Sequence, residues 1–497
     1  MGPRAGNLAL GVGLVLGFAA FGVGCRVEQA DVDTWKGTVK GPGKMVAVLL
    51  ADKYELPLRS YAALSLVDME RRDVDGVGEL VSALQGLDAA TRDQVIDGLV
   101  PGLLQLLEKG AGDASQGPPP RQIRAKDAAV TLIQSASPSP DSRKALTEGV
   151  MRWYVADFDG RSLAGNYSAE QVVRLLGASA ATTLVDALNA QLPQQALIKL
   201  AELIGQLGDA PTKQRAADKL VAIEAEMMGE PFLAWLRKQI SDQLGKDGAD
   251  AARVDKAARL NRDRFIDDGV IPAMKFLADQ PTVAARLLAL AATKDPSLTD
   301  RRTRALQALE GKVREEHLDA LLALALDPAS PAPVQDYAFD RVADVRSPKV
   351  IPQLWPLVQD GGNQRRRWRA GELVLTLGGD SVLAEFFSKL PGDPSAGYEP
   401  EELEGYALRM GQMTPLPTAV AGSQLSSPDW WDRVIALHFF ERKGNEADAV
   451  NMSRLLGDGT PVKGKHWEPG TTVGKVAKQA VDGLRQRIGQ GGQPNSG

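Results

Sequence analysis

Five consecutive residues, Arg365-Arg366-Arg367-Trp368-Arg369, form the sharpest local concentration of chemistry in this sequence. If they open a helix, Arg365 and Arg369 share a face while Arg366 and Arg367 splay beside it. Guanidinium groups so arranged grip carboxylates or phosphates through paired hydrogen bonds, and an indole among them stacks on a ring or a guanidinium. Arg365, Arg366, Trp368 and Arg369 are therefore the candidates for binding an anion or a partner: a lipid headgroup, a lipopolysaccharide phosphate or an acidic strip on a protein. The plainer alternative sends Arg367 and Trp368 into a core and leaves the other arginines solvated. Trp430-Trp431 follows Ser427-Pro428-Asp429 at a second helix start; one ring is expected to pack, with Trp430 the candidate exposed aromatic.

Groups for catalysis are poorly supplied. Asp73-Val74-Asp75-Gly76 and Asp157-Phe158-Asp159-Gly160 each begin like a calcium loop. Neither carries a third acid before the glycine, and the closing positions hold Leu84 and Ser168 instead of a glutamate. The three histidines, His317, His438 and His466, lie far apart, and Cys25 is the sole cysteine, so no zinc spacing and no internal disulfide arise. Neither a Gly-x-Ser-x-Gly elbow nor a phosphate-binding Gly-x4-Gly-Lys loop occurs. The expectation is a protein that is not an enzyme, with no catalytic residue, no cofactor and no metal. A formal charge of −5 over 497 residues also argues against a nucleic-acid partner.

Cys25 has a more specific context. Arg4 gives a positive start, and the uncharged apolar run Leu8 to Phe21 is short for a bilayer span but right for the core of a signal peptide. The run ends Phe21-Gly22-Val23-Gly24-Cys25, which resembles the lipobox of bacterial lipoproteins, although Gly22 stands where that pattern usually has a large apolar residue. The resemblance implies a signal peptide over residues 1–24 and lipidation of Cys25, hence export and a membrane attachment in the cell envelope. Arg26, where sorting would otherwise read Asp, favours the outer membrane by the same resemblance. Residues 25–43, ending Gly41-Pro42-Gly43, read as a tether.

The candidate residues can act together only if regular elements hold them in place, and from residue 44 such elements recur. The repeated phrase is an apolar helical run, a polar or proline-containing turn, then a basic residue with a small apolar residue three places on. Aligned on that residue, Arg59, Arg92 and Arg124 are 33 and 32 apart, and Arg304, Gln335 and Arg367 are 31 and 32 apart. Arg433 lies two periods after Arg367. Aromatics are only 5% of a chain rich in Ala and Leu, which favours packed helices over strands. Fixed-period self-similarity of this kind indicates helical hairpins, each too small to bury its own apolar face, stacked into a shared core.

Leu58-Arg59-x-x-Ala62, Val334-Gln335-x-x-Ala338 and Asp432-Arg433-x-x-Ala436 resemble the second-helix opening of HEAT-like (armadillo-type) repeats. That resemblance implies an all-α superhelix, an α-solenoid over residues 44–487, with the rhythm blurring across 140–290 where two halves would meet. Residues 488–497 read as a disordered tail. The aromatic concentration Trp153, Tyr154, Phe158 and Tyr167 is expected to be core at a junction of half-arrays. Three insertions, 110–120, 391–400 and 457–470, interrupt the repeats. The function this implies is an envelope-anchored scaffold or binding protein that presents a helical surface to a protein or an anionic polymer. A permanent subunit of an envelope complex and a repeat-type enzyme such as a lyase are the alternatives.

Overall fold

The computed structural model describes residues 26–69, 73–108, 117–244, 250–392 and 394–491. The stretch expected to be a signal peptide and Cys25 lie outside the described residues. Among those described, regular structure is helical, with one isolated antiparallel bridge between Pro461 and Thr472. The chain divides into two compact units, one up to Thr183 and one from Leu184. Each is an all-α stack of antiparallel hairpins, the HEAT-like superhelical class of fold.

In the first unit the hairpins are Gly41–Leu50 with Leu56–Val67 and Pro120–Ser135 with Pro140–Ala156; between them Gly76–Gln85 packs on the two first helices and Ala89–Glu108 on the two second helices. Proline near the first position, at Pro42, Pro57, Pro120 and Pro140, starts four of these helices, because its missing N–H falls where a helix has no acceptor to offer. Asp75 and Ser139 cap helix starts through their side-chain oxygens. The second helices of successive hairpins pack on one another. Gly102 lets Leu64 come so close that an added Cβ would sit 2.4 Å from its Cδ2. The segment before the first hairpin differs from a plain tether: Gln29–Trp35 is helical with Val32 buried. Gly41 touches the Trp35 carbonyl so closely that only glycine fits, its Cβ position lying 2.0 Å from that oxygen.

The aromatic concentration is core inside the first unit. Trp153, Tyr154 and Phe158 are buried and Tyr167 is half-buried. Lys126 stands fully buried among these rings and donates to the carbonyls of Ala164 and Tyr167 at 2.7 and 2.8 Å. Asp127 beside it accepts from the Asn166 amide. Together they strap the chain between 162 and 168 onto the helix Pro120–Ser135.

The second unit carries the later hairpins: Pro281–Ala291 with Thr299–Ala308, Leu318–Leu326 with Ala332–Val345, Ile351–Val358 with Gln364–Gly378, and Thr418–Gln424 with Trp430–Lys443. The recurring residue has one structural job at most of its positions in both units. It is the fourth residue of a second helix and reaches back to carbonyls at the end of the first, although Arg92 makes no such contact and lies 3.9 Å from its neighbour Asp93. Arg59 donates to Leu49 at 2.8 Å, Arg143 to Ile133 at 2.9 Å, Arg302 to Ala291 at 2.8 Å and Gln335 to Asp327 at 2.7 Å. Arg367 and Arg433 reach instead to carbonyls of the turn between the two helices, Asp360 for the one and Ser427 and Pro428 for the other. The last carbonyls of a helix have no partner of their own and carry partial negative charge, so a guanidinium satisfies both needs. Two positions in the repeat register shift accordingly. Arg124 belongs to a first helix, and the buried capping residue is Arg302, two places before the exposed Arg304. At the far end, the helix Val473–Gly491 runs on past residue 488, into the stretch expected to be tail.

Candidate functional site

The helix Gln364–Gly378 opens on Asn363, whose side-chain oxygen accepts the Arg366 amide at 3.1 Å. That cap fixes which way each arginine points. Arg367 goes inward and is fully buried. Its Nε and Nη2 meet the two carboxylate oxygens of Glu402 at 2.7 and 2.8 Å, and Nη2 also reaches the Gly397 carbonyl at 2.6 Å. Its guanidinium lies 4.5 Å from the Tyr398 ring centroid, and the Tyr406 hydroxyl is 2.9 Å from Glu402. Burial pushes the Glu402 carboxyl up against the pull of Arg367, but the bidentate geometry with full hydrogen bonding holds the pair ionised. Arg367 is thus a structural keystone joining the helix Gln364–Gly378 to Pro400–Met410.

The other arginines stay outside and find partners one hairpin earlier. Arg365 pairs with Asp336, and Arg369 pairs with Asp340 and donates to the Asp336 carbonyl at 3.2 Å. Arg366 points to the Leu326 carbonyl at 3.4 Å. The pattern continues along the second helices: Arg409 lies 3.5 Å from Glu372, and Arg442 3.2 Å from Glu404. Each helix offers arginines to the acids of the helix before it. The cluster is therefore a rung in a charge ladder. Three acids, Asp336, Asp340 and Glu372, face three arginines, Arg365, Arg369 and Arg409, across the neighbouring helices. Exposed pairs of this kind contribute about 0–1 kcal/mol each, so an incoming partner can replace them at little cost.

Trp368 is the group the ladder leaves unsatisfied. Its ring is half-buried, and its Nε1 is buried with no hydrogen-bond partner among the described residues. Gly405 makes this position possible, since a Cβ there would sit 2.7 Å from that nitrogen. A cavity of about 470 Å³ opens beside the ring, lined by Asp336, Asp340, Gln364, Arg365 and Glu372. A half-exposed aromatic wall and exchangeable charges of both signs can accept an extended polypeptide segment.

Trp430, expected to be exposed, is buried at 7% accessibility, and Trp431 is buried beside it. Both are held by rings that the sequence keeps far away: Trp431 stacks on Tyr398 at 5.2 Å, and Trp430 meets Tyr398 and Trp467 edge-on. Two of the insertions account for this, because they fold on each other. The Tyr398 amide donates to the Lys463 carbonyl at 3.0 Å, and the Trp467 Nε1 donates to the Tyr398 carbonyl at 2.7 Å. Glu399 accepts the amides of Lys465 and His466, both at 2.9 Å, and the His466 Nδ1 lies 3.0 Å away. Burial raises the Glu399 carboxyl, but those donors outweigh it and hold the group below its ordinary value. Asp432, one residue beyond the indole pair, goes the other way: burial pushes its carboxyl up to about 7, with only Ser427 donating to it.

Among the described residues no group of three His, Cys, Asp or Glu side chains is placed to hold a metal ion, and no helix is long and apolar enough to cross a membrane.

No protein-family profile and no curated protein matches this chain. Solved structures do, all faintly. The karyopherin Kap121p bound to the SUMO protease Ulp1p matches with 14% identity and a TM-score of 0.34, over 93% of this chain and 46% of its own. Kap121p bound to the extreme C-terminus of the protein phosphatase Cdc14p matches with 13% identity and a TM-score of 0.30, over 95% of this chain and 49% of its own. The chain spans about half the length of these structures. The fold assignment rests on the helix packing within the two units.

Proposed function

We propose that the protein is a non-enzymatic scaffold, anchored in the cell envelope through a lipid on Cys25, that holds a segment of a partner protein against the second-helix face of its second unit. The observation that carries this reading is Trp368: a half-buried indole floored by Gly405 and bordered by exchangeable ion pairs. Aromatic and arginine side chains in partly desolvated slots are the usual anchors of protein interfaces. The bound segment would pack on the open side of the indole, and its charged side chains would exchange with Arg365, Arg369 and the acids of the helix Ala332–Val345.

A photo-cross-linking residue at position 365, on this face, and another at Asp319, exposed on a first helix, test the proposal in the native membranes. The expected result is one dominant protein adduct from position 365, weak or absent from 319, and lost when Trp368→Ala is added. Equal labelling from both positions, or adducts of glycan or lipid alone, would overturn it. A permanent structural subunit is the second reading. It predicts the same adduct in near-stoichiometric yield that survives purification, where a transient scaffold gives a fraction that dissociates.

A further inference from the structure

A separate cavity, of about 300 Å³, lies within the first unit among the helices Ala89–Glu108, Pro120–Ser135 and Pro140–Ala156 and the short turn Phe158–Arg161. Its walls are mostly carbon. Leu104 and Leu107 form one side, and Trp153, Ala156 and the backbone at Gly149 the other. The one donor of Trp153 is already given to Gln122 Oε1 at 3.1 Å, so the ring presents only its apolar surface. The volume is at the lower end for small-molecule sites.

One charge faces into this apolar space. The Arg161 guanidinium sits 5.1 Å from the Trp153 ring centroid, and its Nη1 donates to the Trp153 carbonyl at 2.8 Å. Its Nε is buried without a hydrogen-bond partner, and it makes no ion pair with any described residue. A partly desolvated guanidinium without a paired carboxylate is costly, and among the described residues only the Trp153 carbonyl and ring and the more distant charge of Asp157 offset it. Burial pulls Arg161 below its ordinary pKa, and the charge of Asp157 only partly opposes this. Arg152 stands at the mouth, more than half exposed and only loosely held by Glu148 at 3.9 Å. Among the described residues Glu108 is the sole acid on the lining, against the two cations Arg152 and Arg161.

We propose that this cavity binds a free medium-chain carboxylate. The carboxylate completes the unpaired Arg161, Arg152 adds a second cation at the entrance, and the hydrocarbon tail lies against Leu104, Leu107 and the face of Trp153. An amphiphile fits both halves of the site: the apolar wall takes a hydrocarbon tail, and the half-buried Arg161 takes a carboxylate. A long acyl chain exceeds the cavity. The inference stands independently of the partner-binding face on the second unit.

Calorimetric titration of the full chain with octanoate, kept below its micelle concentration, tests it. The expected result is saturable binding at one site, at least tenfold weaker for octanol and for octylamine, and at least tenfold weaker in Arg161→Gln. Because Arg161→Gln also loses the contact to the Trp153 carbonyl, Ala156→Phe serves as a second variant. Ala156 is exposed at a helix end, so a phenyl there fills the cavity without touching the charge, and binding is expected to vanish with the melting temperature unchanged. Equal affinity for octanol and octanoate, retained affinity in either variant, or no saturable heat up to about 10 mM octanoate would overturn the proposal.

Discussion

Asp432→Asn is expected to make the protein more stable at neutral pH and to remove part of its pH dependence. Asp432 is buried in the helix Trp430–Lys443; Oδ2 accepts the Ser427 hydroxyl at 2.8 Å, and Oδ1 is buried with no partner. The adjacent Arg433 is turned away toward Asp458 at 3.1 Å and the carbonyls of Ser427 and Pro428, while Asp429 adds repulsion. The carboxyl accordingly rises from 3.8 to about 7. A raised acid pKa means the fold disfavours the charged form. Well below pH 3.8 the group is protonated in both folded and unfolded chains and contributes no penalty. As pH climbs from there to about 7 the unfolded carboxyl ionises first, so stability falls, and above that the penalty is constant. At about 1.4 kcal/mol per pH unit the full penalty is about 4 kcal/mol as a ceiling. The asparagine amide leaves one buried N–H without an acceptor, which costs about 1–2 kcal/mol. The net expectation is a variant more stable by about 1–3 kcal/mol at about pH 8 and slightly less stable at about pH 4. Urea unfolding of both proteins between about pH 4 and 8 measures it. A difference that does not change with pH, or a variant weaker than wild type at the alkaline end, would show instead that Asp432 is ionised and stabilising.

Other perturbations separate structural from binding roles. Glu402→Ala strands the buried Arg367 and is expected to cost about 3–5 kcal/mol in urea unfolding, while the paired change Arg367→Met with Glu402→Leu recovers most of that loss. Arg365→Ser, Arg366→Ser and Arg369→Ser together remove only exposed rungs, so stability should change by about 1–2 kcal/mol at most, read by denaturant midpoint. Lys126→Met releases the strap at 162–168, and limited proteolysis should cut there faster than in wild type. Gly405→Val leaves no room for the indole, so it should lower the urea midpoint of the wild type and much less that of a Trp368→Ala background.

Much of the helical architecture was legible because its physics is local. Proline and Asp or Ser at helix starts, Ala and Leu in the interiors and a basic residue every 31–33 positions all act within one hairpin. The role of that basic residue was legible only in part. Arg301, Arg302 and Arg304 lie within one turn, and composition alone does not say that Arg302 caps Ala291 while Arg304 faces Asp268. The fate of the arginine cluster and of Trp430 was not legible, because it is set by contacts distant in sequence. Asp336 and Asp340 neutralise Arg365 and Arg369 from the previous hairpin. Tyr398 and Trp467 cover Trp430 from two insertions that look like independent loops until Glu399 is seen holding Lys465 and His466. The unpaired Arg161 gave no sequence signal either, since an arginine without an acid is recognised only by what surrounds it in space.

Whether the Trp368 face holds a protein partner is decided by purifying the full-length protein from its own cells in parallel with Trp368→Ala. The expected result is one partner protein that accompanies the wild type and is depleted at least tenfold in the variant, with the variant still folded and helical at the temperature of purification. Unchanged recovery of the same partner with the Trp368 variant would contradict this and move the interface elsewhere on the molecule.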